Sequence, residues 1–477
     1  KYISTGNAAI QATTTVAILG GIIFYTVLFE GMYDESLLSE SQILQAIAPL
    51  GWLLVLCSVV EWFFASKLPN KMREASKRKF TFRRYIQGAY LRKNMKLLTR
   101  KKEIFDAIIA LSLFWSISQV VLAIFGEYAK SQLGVTNTIF VQGVMALAGI
   151  GIVLGSIFAS KYSKYYINTG LVGLGASGIT LVVLLVPFVG SMALMAFLFM
   201  LFGIFSGFIM VPLNARIQFL SSNVHLGTIL AGNNFIQNIF MFTFLVLTTI
   251  FAYNGMNTEI LFYLMVIVGI YLSFITLKNY FVDTFWATML ILGSLRHKYI
   301  YHGLDNVPKE GAALLLSNHV SWLDWIILQL PFKRYLNFMM EKDIYNWPLF
   351  HAFFKKGEAI PISSRASKDA FKEAYIRLQN KKLVAIFPEG AISSDGKLSA
   401  FKKGYELIPS DYDGCIIPVF IDGMFGSWFS RYKKSSKKHF WQRRVINVYF
   451  GEALPTDTSS QEVKNIIQAM KERDETQ

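Results

Sequence analysis

Charge is what this chain has least of. Only 16% of its 477 residues are Asp, Glu, Lys or Arg, while 53% are hydrophobic. A soluble globular chain carries about a quarter charged residues. The shortfall, with a mean hydropathy of +0.40, excludes a chain that is water-soluble throughout and points to an integral membrane part with a soluble part attached. Cysteine is nearly absent. Cys57 falls in an apolar stretch and Cys415 in the less apolar C-terminal part, so neither a disulfide nor a metal site is expected. A signal-peptide layout is missing too. The first apolar segment is too long for a signal core and has no small-residue cleavage pattern. The chain begins at Lys1 rather than Met, which suggests a processed chain or a fragment.

Acids are scarcer than bases, 31 against 47, and the imbalance is concentrated. Residues 67–102 hold 14 Lys and Arg against one acid, Glu74. Such a run can bind nucleic acid, but long apolar segments flank it on both sides. A juxtamembrane loop facing anionic lipid accounts for it better, with no nucleic-acid partner.

Eight stretches are long and apolar enough to cross a bilayer, near 8–29, 42–65, 102–125, 139–160, 170–189, 192–215, 228–251 and 258–278. Glu30–Ser41 contains four acids (Glu30, Asp34, Glu35, Glu40) and no base. The positive-inside rule puts the basic loop 67–101 in the cytoplasm. Alternation then places the loops bearing Lys161, Lys164 and Arg216 on the same side. The eighth span exits into the cytoplasm.

The spans are rich in small residues, among them Gly143, Gly149, Gly151, Gly155, Gly203 and Gly207. Small residues let helices approach closely in lipid. Polar residues at depth include Gln119, Gln142, Asn233, Asn234, Gln237 and Asn238. They are either interhelical glue or the lining of a cavity that admits a headgroup. Gln119, Asn233, Asn234 and Gln237 are the transport-cavity candidates. No Asp, Glu or His relay lies at mid-membrane, so a proton-coupled pump is not supported.

Residues 279–300 are apolar, short, and end in Arg296, His297 and Lys298. They read as an interfacial helix with Trp286 at headgroup level. The domain division is therefore a membrane part over 1–280, a linker helix over 281–298 and an α/β domain over 299–477. In the last, 312–316, 383–387 and 415–421 read as strands, Lys368–Gln379 as a helix, and 461–473 as an amphipathic helix.

The chemistry sits at the ends of those strands. Leu314–Leu328 reads LLLSNHVSWLDWIIL. An imidazole takes a proton near neutral pH, and a carboxylate on its other nitrogen fixes the tautomer. His319 and Asp324 are five apart, about 140° around a helix. They meet only if His319 lies on the strand-to-helix turn and Asp324 in the first helical turn. Alone, the pair is more simply a core histidine and a capping acid. Leu383–Gly390, LVAIFPEG, is a strand presenting Phe387, Pro388, Glu389 and Gly390 at its tip. Lys355–Arg365 reads as strand-like and ends in Arg365. Ile416–Gly423 is a Pro-containing strand and turn. Ser317, Ser321 and Cys415 are read as structural.

These four blocks in this order, across roughly 299–455, resemble the PlsC-like glycerolipid acyltransferase family. The resemblance implies acyl transfer from an acyl-carrier-protein or coenzyme A thioester to a lysolipid hydroxyl, with no cofactor. It implies His319 as general base, Asp324 as its orienter, Glu389 and Gly390 of the Phe387–Gly390 block on the glycerol backbone, and Arg365 on the phosphate. Lys402 and Lys403 either add to that charge or form a solvated patch. Many members have Thr-Arg after this block; here it is Ala391-Ile392. Gly426–Arg431 (GSWFSR) is similar to 2-acylglycerophosphoethanolamine acyltransferases, which are often fused to a lysophospholipid transporter of the major facilitator superfamily. That implies a major-facilitator-like membrane part whose first four of twelve spans lie upstream of Lys1. It also implies a bacterial inner-membrane location with the enzyme on the cytoplasmic face. An acyl-carrier-protein synthetase, the family's other partner, would need an AMP-forming loop, and the sequence has none.

Overall fold

The computed structural model describes residues 2–32, 40–67, 81–348, 350–363, 367–431 and 443–475. The chain divides into two compact units. One comprises Tyr2–Lys161 with Leu174–Thr276, and the other Tyr162–Gly173 with Leu277–Gln477.

The first unit is helical. Its helices are α1 (Tyr2–Met32), α2 (Glu40–Ser66), α3 (Phe82–Ile86), α4 (Ala89–Thr99), α5 (Lys102–Leu133) and most of α6 (Thr138–Tyr162). They continue with most of α7 (Gly170–Leu185), then α8 (Met192–Leu220), α9 (Leu226–Tyr253) and the first half of α10 (Thr258–Arg296). Seven helices among the described residues are long and apolar enough to span a membrane. Eight were expected. The stretch near 8–29 is helical as α1, but it is not among the seven. The basic loop is partly structured, since α3 and α4 lie within it.

Helix crossing in this unit follows the small residues. A Cβ on Gly151 or Gly155 of α6 would collide with the backbone of Met200 or Ile204 on α8. One on Gly203 or Gly207 would collide with Ala148 or Gly155 in return. Two glycines four apart on each helix bring the backbones together. Asn7 on α1 and Gln218 on α8 exchange reciprocal amide hydrogen bonds of 3.1 and 3.0 Å, a pair that no sequence pattern marked.

The second unit is α/β. Its strands are β1 (His297–His302), β2 (Ala312–Ser317), β3 (Leu336–Glu341), β4 (Ile360–Ile362), β5 (Leu383–Ile386), β6 (Gly414–Asp422) and β7 (Arg444–Phe450). They form one sheet in the order β1-β7-β6-β2-β5-β3-β4. All pairings are parallel except β6–β7. Short helices α11 (Asp324–Gln329), α12 (Lys342–Tyr345) and α13 (His351–Lys356) are joined by α14 (Ser367–Gln379) and α15 (Ser460–Glu475). Side-chain alternation sorts β2 between two cores. Leu314 and Leu316 pack with Ala374 and Leu378 of α14 and Ile467 of α15. Ala313 and Leu315 pack with Ile327 and Leu328 of α11. A strand covered on both faces reads as an unbroken apolar run, which is why β2 is legible.

Three local readings are corrected. Residues 297–300 are not helical; they open β1, whose His297–His302 pair in register with Arg444–Tyr449 of β7. The helix before them is continuous with the last span, interrupted only by non-helical backbone at Tyr280 (φ −128°, ψ 25°). Trp286 is buried against Trp325 (ring centroids 5.4 Å apart) and Phe353. Of the strand-like stretch 355–365, the described residues 355–363 are the end of α13, a turn with Glu358 at φ 59°, and three residues of strand.

Residues 162–173 join this unit through polar contacts. Thr169 Oγ1 and Lys333 Nζ both donate to Asp283 Oδ2, Tyr335 donates to Asp283 Oδ1 at 2.9 Å, and Tyr162 pairs with Ser294 at 3.0 Å.

Candidate active site

The site forms at the carboxyl ends of two adjacent parallel strands, where open α/β sheets place ligands. The β2–β5 register sets Leu316 opposite Ile386. His319 and Glu389 each lie three residues further on, so the two loops emerge side by side. The His319 amide donates to Glu389 Oε1 at 2.8 Å, and the Ser399 amide donates to Oε2 at 2.9 Å. The Ser393 amide donates to the His319 carbonyl at 2.8 Å. His319 is thus held by its own N–H and C=O before its ring is considered.

The ring is held as well. Nδ1 lies 2.9 Å from Asp324 Oδ2, and Phe387 stacks on the imidazole with centroids 4.2 Å apart and planes 16° from parallel. His319 is on the loop and Asp324 is the first residue of α11, the arrangement a spacing of five requires. Asp324 Oδ2 also accepts the amides of Val320 and Ser321, at 2.7 and 2.8 Å. Its other oxygen, Oδ1, is buried with no hydrogen-bond partner among the described residues.

Asp324 is wholly buried. Burial pushes its carboxyl above the ordinary carboxylate range, against the pull of His319 and the two loop amides. Burial likewise raises Glu389, opposed by the Ser399 and His319 amides. With Nδ1 committed to Asp324, Nε2 is the ring nitrogen left to take a proton from a bound hydroxyl.

On the other side of β2, Asn318 extends the ladder with its side chain. Nδ2 donates to the Ile421 carbonyl at 2.9 Å and Oδ1 accepts the Ile421 amide at 2.7 Å. Ser321 Oγ and the Trp322 amide both donate to the Phe429 carbonyl, at 3.3 and 2.9 Å. Asn318, Ser393 and Ser399 were not singled out from sequence as site residues, and Phe429 stood only as part of the Gly426–Arg431 block. Asn318 at least stands beside His319 in the SNH motif; the other three act through backbone groups, which leave no sequence signal.

The remaining candidates are dispersed. Pro388 is buried and accepts the Lys402 amide at 2.9 Å. Gly390 has φ +70°, and the Lys402 side chain runs across it. Lys402 and Lys403 are exposed. Arg365 lies outside the described residues. In the helical unit, Asn233 and Gln237 are buried and bonded to each other at 2.8 Å on one face of α9. Asn234 is exposed on another face and Gln119 is half-buried. The Asn233–Gln237 bond runs from Gln237 Nε2 to Asn233 Oδ1.

Residues 298–422 match the protein-family model described as Acyltransferase. The C-terminal unit carries an acyltransferase domain. The chloroplastic 1-acyl-sn-glycerol-3-phosphate acyltransferase of Arabidopsis thaliana is 28% identical over 149 residues, 30% of this chain and 41% of the relative. The Brassica napus chloroplastic enzyme of the same description is 27% identical over 149 residues, 30% of this chain and 42% of its own length. The chain thus spans about two fifths of the curated relatives it matches. The crystal structure of the 1-acyl-sn-glycerophosphate acyltransferase PlsC from Thermotoga maritima aligns with a TM-score of 0.32 at 20% identity, covering 40% of this chain and 79% of that one. The acyltransferase domain, as matched, contains His319, Asp324 and the Phe387–Gly390 turn.

Proposed function

We propose that the acyltransferase domain transfers an acyl chain from a thioester to the free hydroxyl of a lysophospholipid, of the 1-acylglycerol 3-phosphate kind that its relatives' names specify. The observation that carries this is the His319 Nδ1 to Asp324 Oδ2 hydrogen bond, formed inside a domain matched to acyltransferases. In the reaction, Nε2 accepts the hydroxyl proton as the oxygen attacks the thioester carbonyl. The tetrahedral intermediate then expels the thiolate, and the imidazolium returns the proton to sulfur. Asp324 stabilises the imidazolium between those two events. The donor is acyl-carrier-protein or coenzyme A bound, and the lysolipid acceptor comes from the bilayer.

A second reading is favoured by the number of apolar helices, since seven is more than an anchor requires. On it, a major-facilitator-like unit moves lysophospholipid across a bacterial inner membrane, and the domain on the cytoplasmic face reacylates it. Its acceptor would be 2-acylglycerophosphoethanolamine, and a separate acyl-carrier-protein synthetase would supply the donor.

Purified full-length chain, assayed with acyl thioester and either lysophosphatidic acid or lysophosphatidylethanolamine, tests both readings. His319→Ala should lower turnover by about 10²–10⁴-fold, the usual contribution of a general base. Undiminished turnover would remove His319 from the chemistry. The ratio of the two acceptors decides between the readings.

A further inference from the structure

Trp322 stands three residues after His319 and keeps 44% of its surface exposed. Its amide and the Ser321 hydroxyl share the Phe429 carbonyl, so the chain at 427–431 is fastened to the loop that carries His319. Two residues past Phe429, the Arg431 guanidinium lies over the Trp322 ring, 5.6 Å from its centroid. Arg431 is exposed, and among the described residues no carboxylate forms an ion pair with it.

We propose that Arg431, seated on Trp322, binds the phosphate of the acceptor lysolipid. The inference rests on the acyl-transfer reading and names how its acceptor is recognised. In a 1-acylglycerol 3-phosphate only two carbons separate the free hydroxyl from the phosphate-bearing oxygen, and in a 2-acyl glycerophospholipid only three. A cation that recognises that phosphate must therefore stand beside the His319 loop. Ala391-Ile392, following the Phe387–Gly390 turn, offers no charge. Lys402, across Gly390, is a point charge on a flexible stem. Arg431 has the better chemistry. A guanidinium stacked on an indole face is attracted by the ring and loses rotamer freedom beforehand, while its N–H edges stay open for two parallel bonds to phosphate oxygens. Trp322 is then a positioning residue that acts through Arg431.

Phosphate chemistry has other sources here: the nucleotide phosphates of a coenzyme A donor and the headgroups of the surrounding bilayer. The test uses the full chain in nanodiscs of neutral phosphatidylcholine, with KM measured separately for acceptor and donor. Glycerol 3-phosphate serves as a competitive inhibitor against the acceptor, with glycerol as its uncharged control. Arg431→Ala should raise acceptor KM and the glycerol 3-phosphate inhibition constant by the same factor, about tenfold or more, as loss of a charged hydrogen bond predicts. Donor KM and inhibition by glycerol should not move. Arg431→Lys should recover part of the loss. Trp322→Leu should follow Arg431→Ala in direction and Trp322→Phe should not. An unchanged acceptor KM overturns the proposal. So does a rise confined to donor KM, which would assign Arg431 to the donor, or a defect cured by anionic lipid, which would assign it to the membrane surface. A wild-type chain that acylates no lysolipid fails the acyl-transfer reading instead. Calorimetric binding of the lysolipid to wild type and Arg431→Ala then still decides the role of Arg431.

Discussion

The amide of His319 and the carboxylate of Glu389 are joined at 2.8 Å across two strands that are 70 residues apart in the chain. This bond makes Glu389 a fixture of the His319 loop. Each of its oxygens accepts one backbone amide, so Glu389 holds the loop in addition to any grip on the glycerol that family resemblance implies.

Glu389→Ala should therefore act on stability and turnover together. It leaves the His319 and Ser399 amides without their acceptor, at about 1–3 kcal/mol for each one that stays buried and unpaired. Glu389→Gln retains one carbonyl oxygen and should lose less on both counts. Thermal unfolding and kcat measured on the same samples check this. A pure rise in acceptor KM with unchanged unfolding would confine Glu389 to substrate binding.

Asp324→Asn separates charge from geometry. All three hydrogen bonds fall on Oδ2 while Oδ1 has no partner among the described residues. An Asn can keep its oxygen in the first position and place its amide nitrogen in the second. The loop should stay folded while the imidazolium loses its counter-charge. We expect kcat to fall by about 10²–10⁴-fold with a circular dichroism spectrum like the wild type. A variant that keeps its rate would show that the charge of Asp324 is not used.

The same two carboxyls predict a pH dependence of stability. Burial raises both Asp324 and Glu389 in the folded state, so the folded chain holds those protons more tightly than the unfolded one. Their contribution is fully favourable below the ordinary carboxylate range. It is lost as pH climbs from that range through the raised folded values. Activity runs the other way, because the mechanism needs Asp324 ionised. Comparing wild type with Asp324→Asn across this window, the melting temperature of the wild type should fall relative to the variant as pH rises. The opposite slope would contradict the burial argument.

Asn318 carries a strand-like pairing on one side chain. Asn318→Ala removes both partners of Ile421, whose own surface is 1% exposed. The cost should approach that of two unpaired buried backbone groups, about 1–3 kcal/mol each. Asn318→Asp keeps an acceptor but loses the donor to the Ile421 carbonyl, and should not rescue the loss. Urea unfolding of detergent-solubilised chain, followed by tryptophan fluorescence, measures both.

In the helical unit, Gly203→Ala places a methyl against the Ala148 carbonyl, whereas Gly143→Ala meets nothing within 4 Å. Forcing α6 and α8 apart should cost about 1–3 kcal/mol, as overpacking does. The control should be neutral. Equal melting temperatures for the two variants would mean that the crossing is not as close as described.

Much of this was legible in the chain itself. The apolar runs 312–316, 383–387 and 415–421 read as strands, and β2, β5 and β6 fall on them. The spacing of five between His319 and Asp324 required the first on a loop and the second at a helix start. The apolar stretches marked long helices, seven of them apolar enough to span a membrane, because hydropathy depends on composition and length alone. Helix ends were less legible: α10 runs on through Arg296, since a kink at Tyr280 interrupts a helix without changing its hydropathy.

What the sequence by itself determined is therefore local: which segments are apolar, with what period, and which reactive groups they carry to their ends. Neighbourhood was decided only by the tertiary structure. Nothing in Leu383–Gly390 says that β5 lies beside β2, in a register that sets Glu389 against His319. Nothing in Trp428–Arg431 says that Phe429 holds the Trp322 loop and brings Arg431 onto the indole. Hydrophobic burial is non-directional and selects elements. Strand register and backbone hydrogen bonds are directional and long-range, and only the packed sheet supplies them.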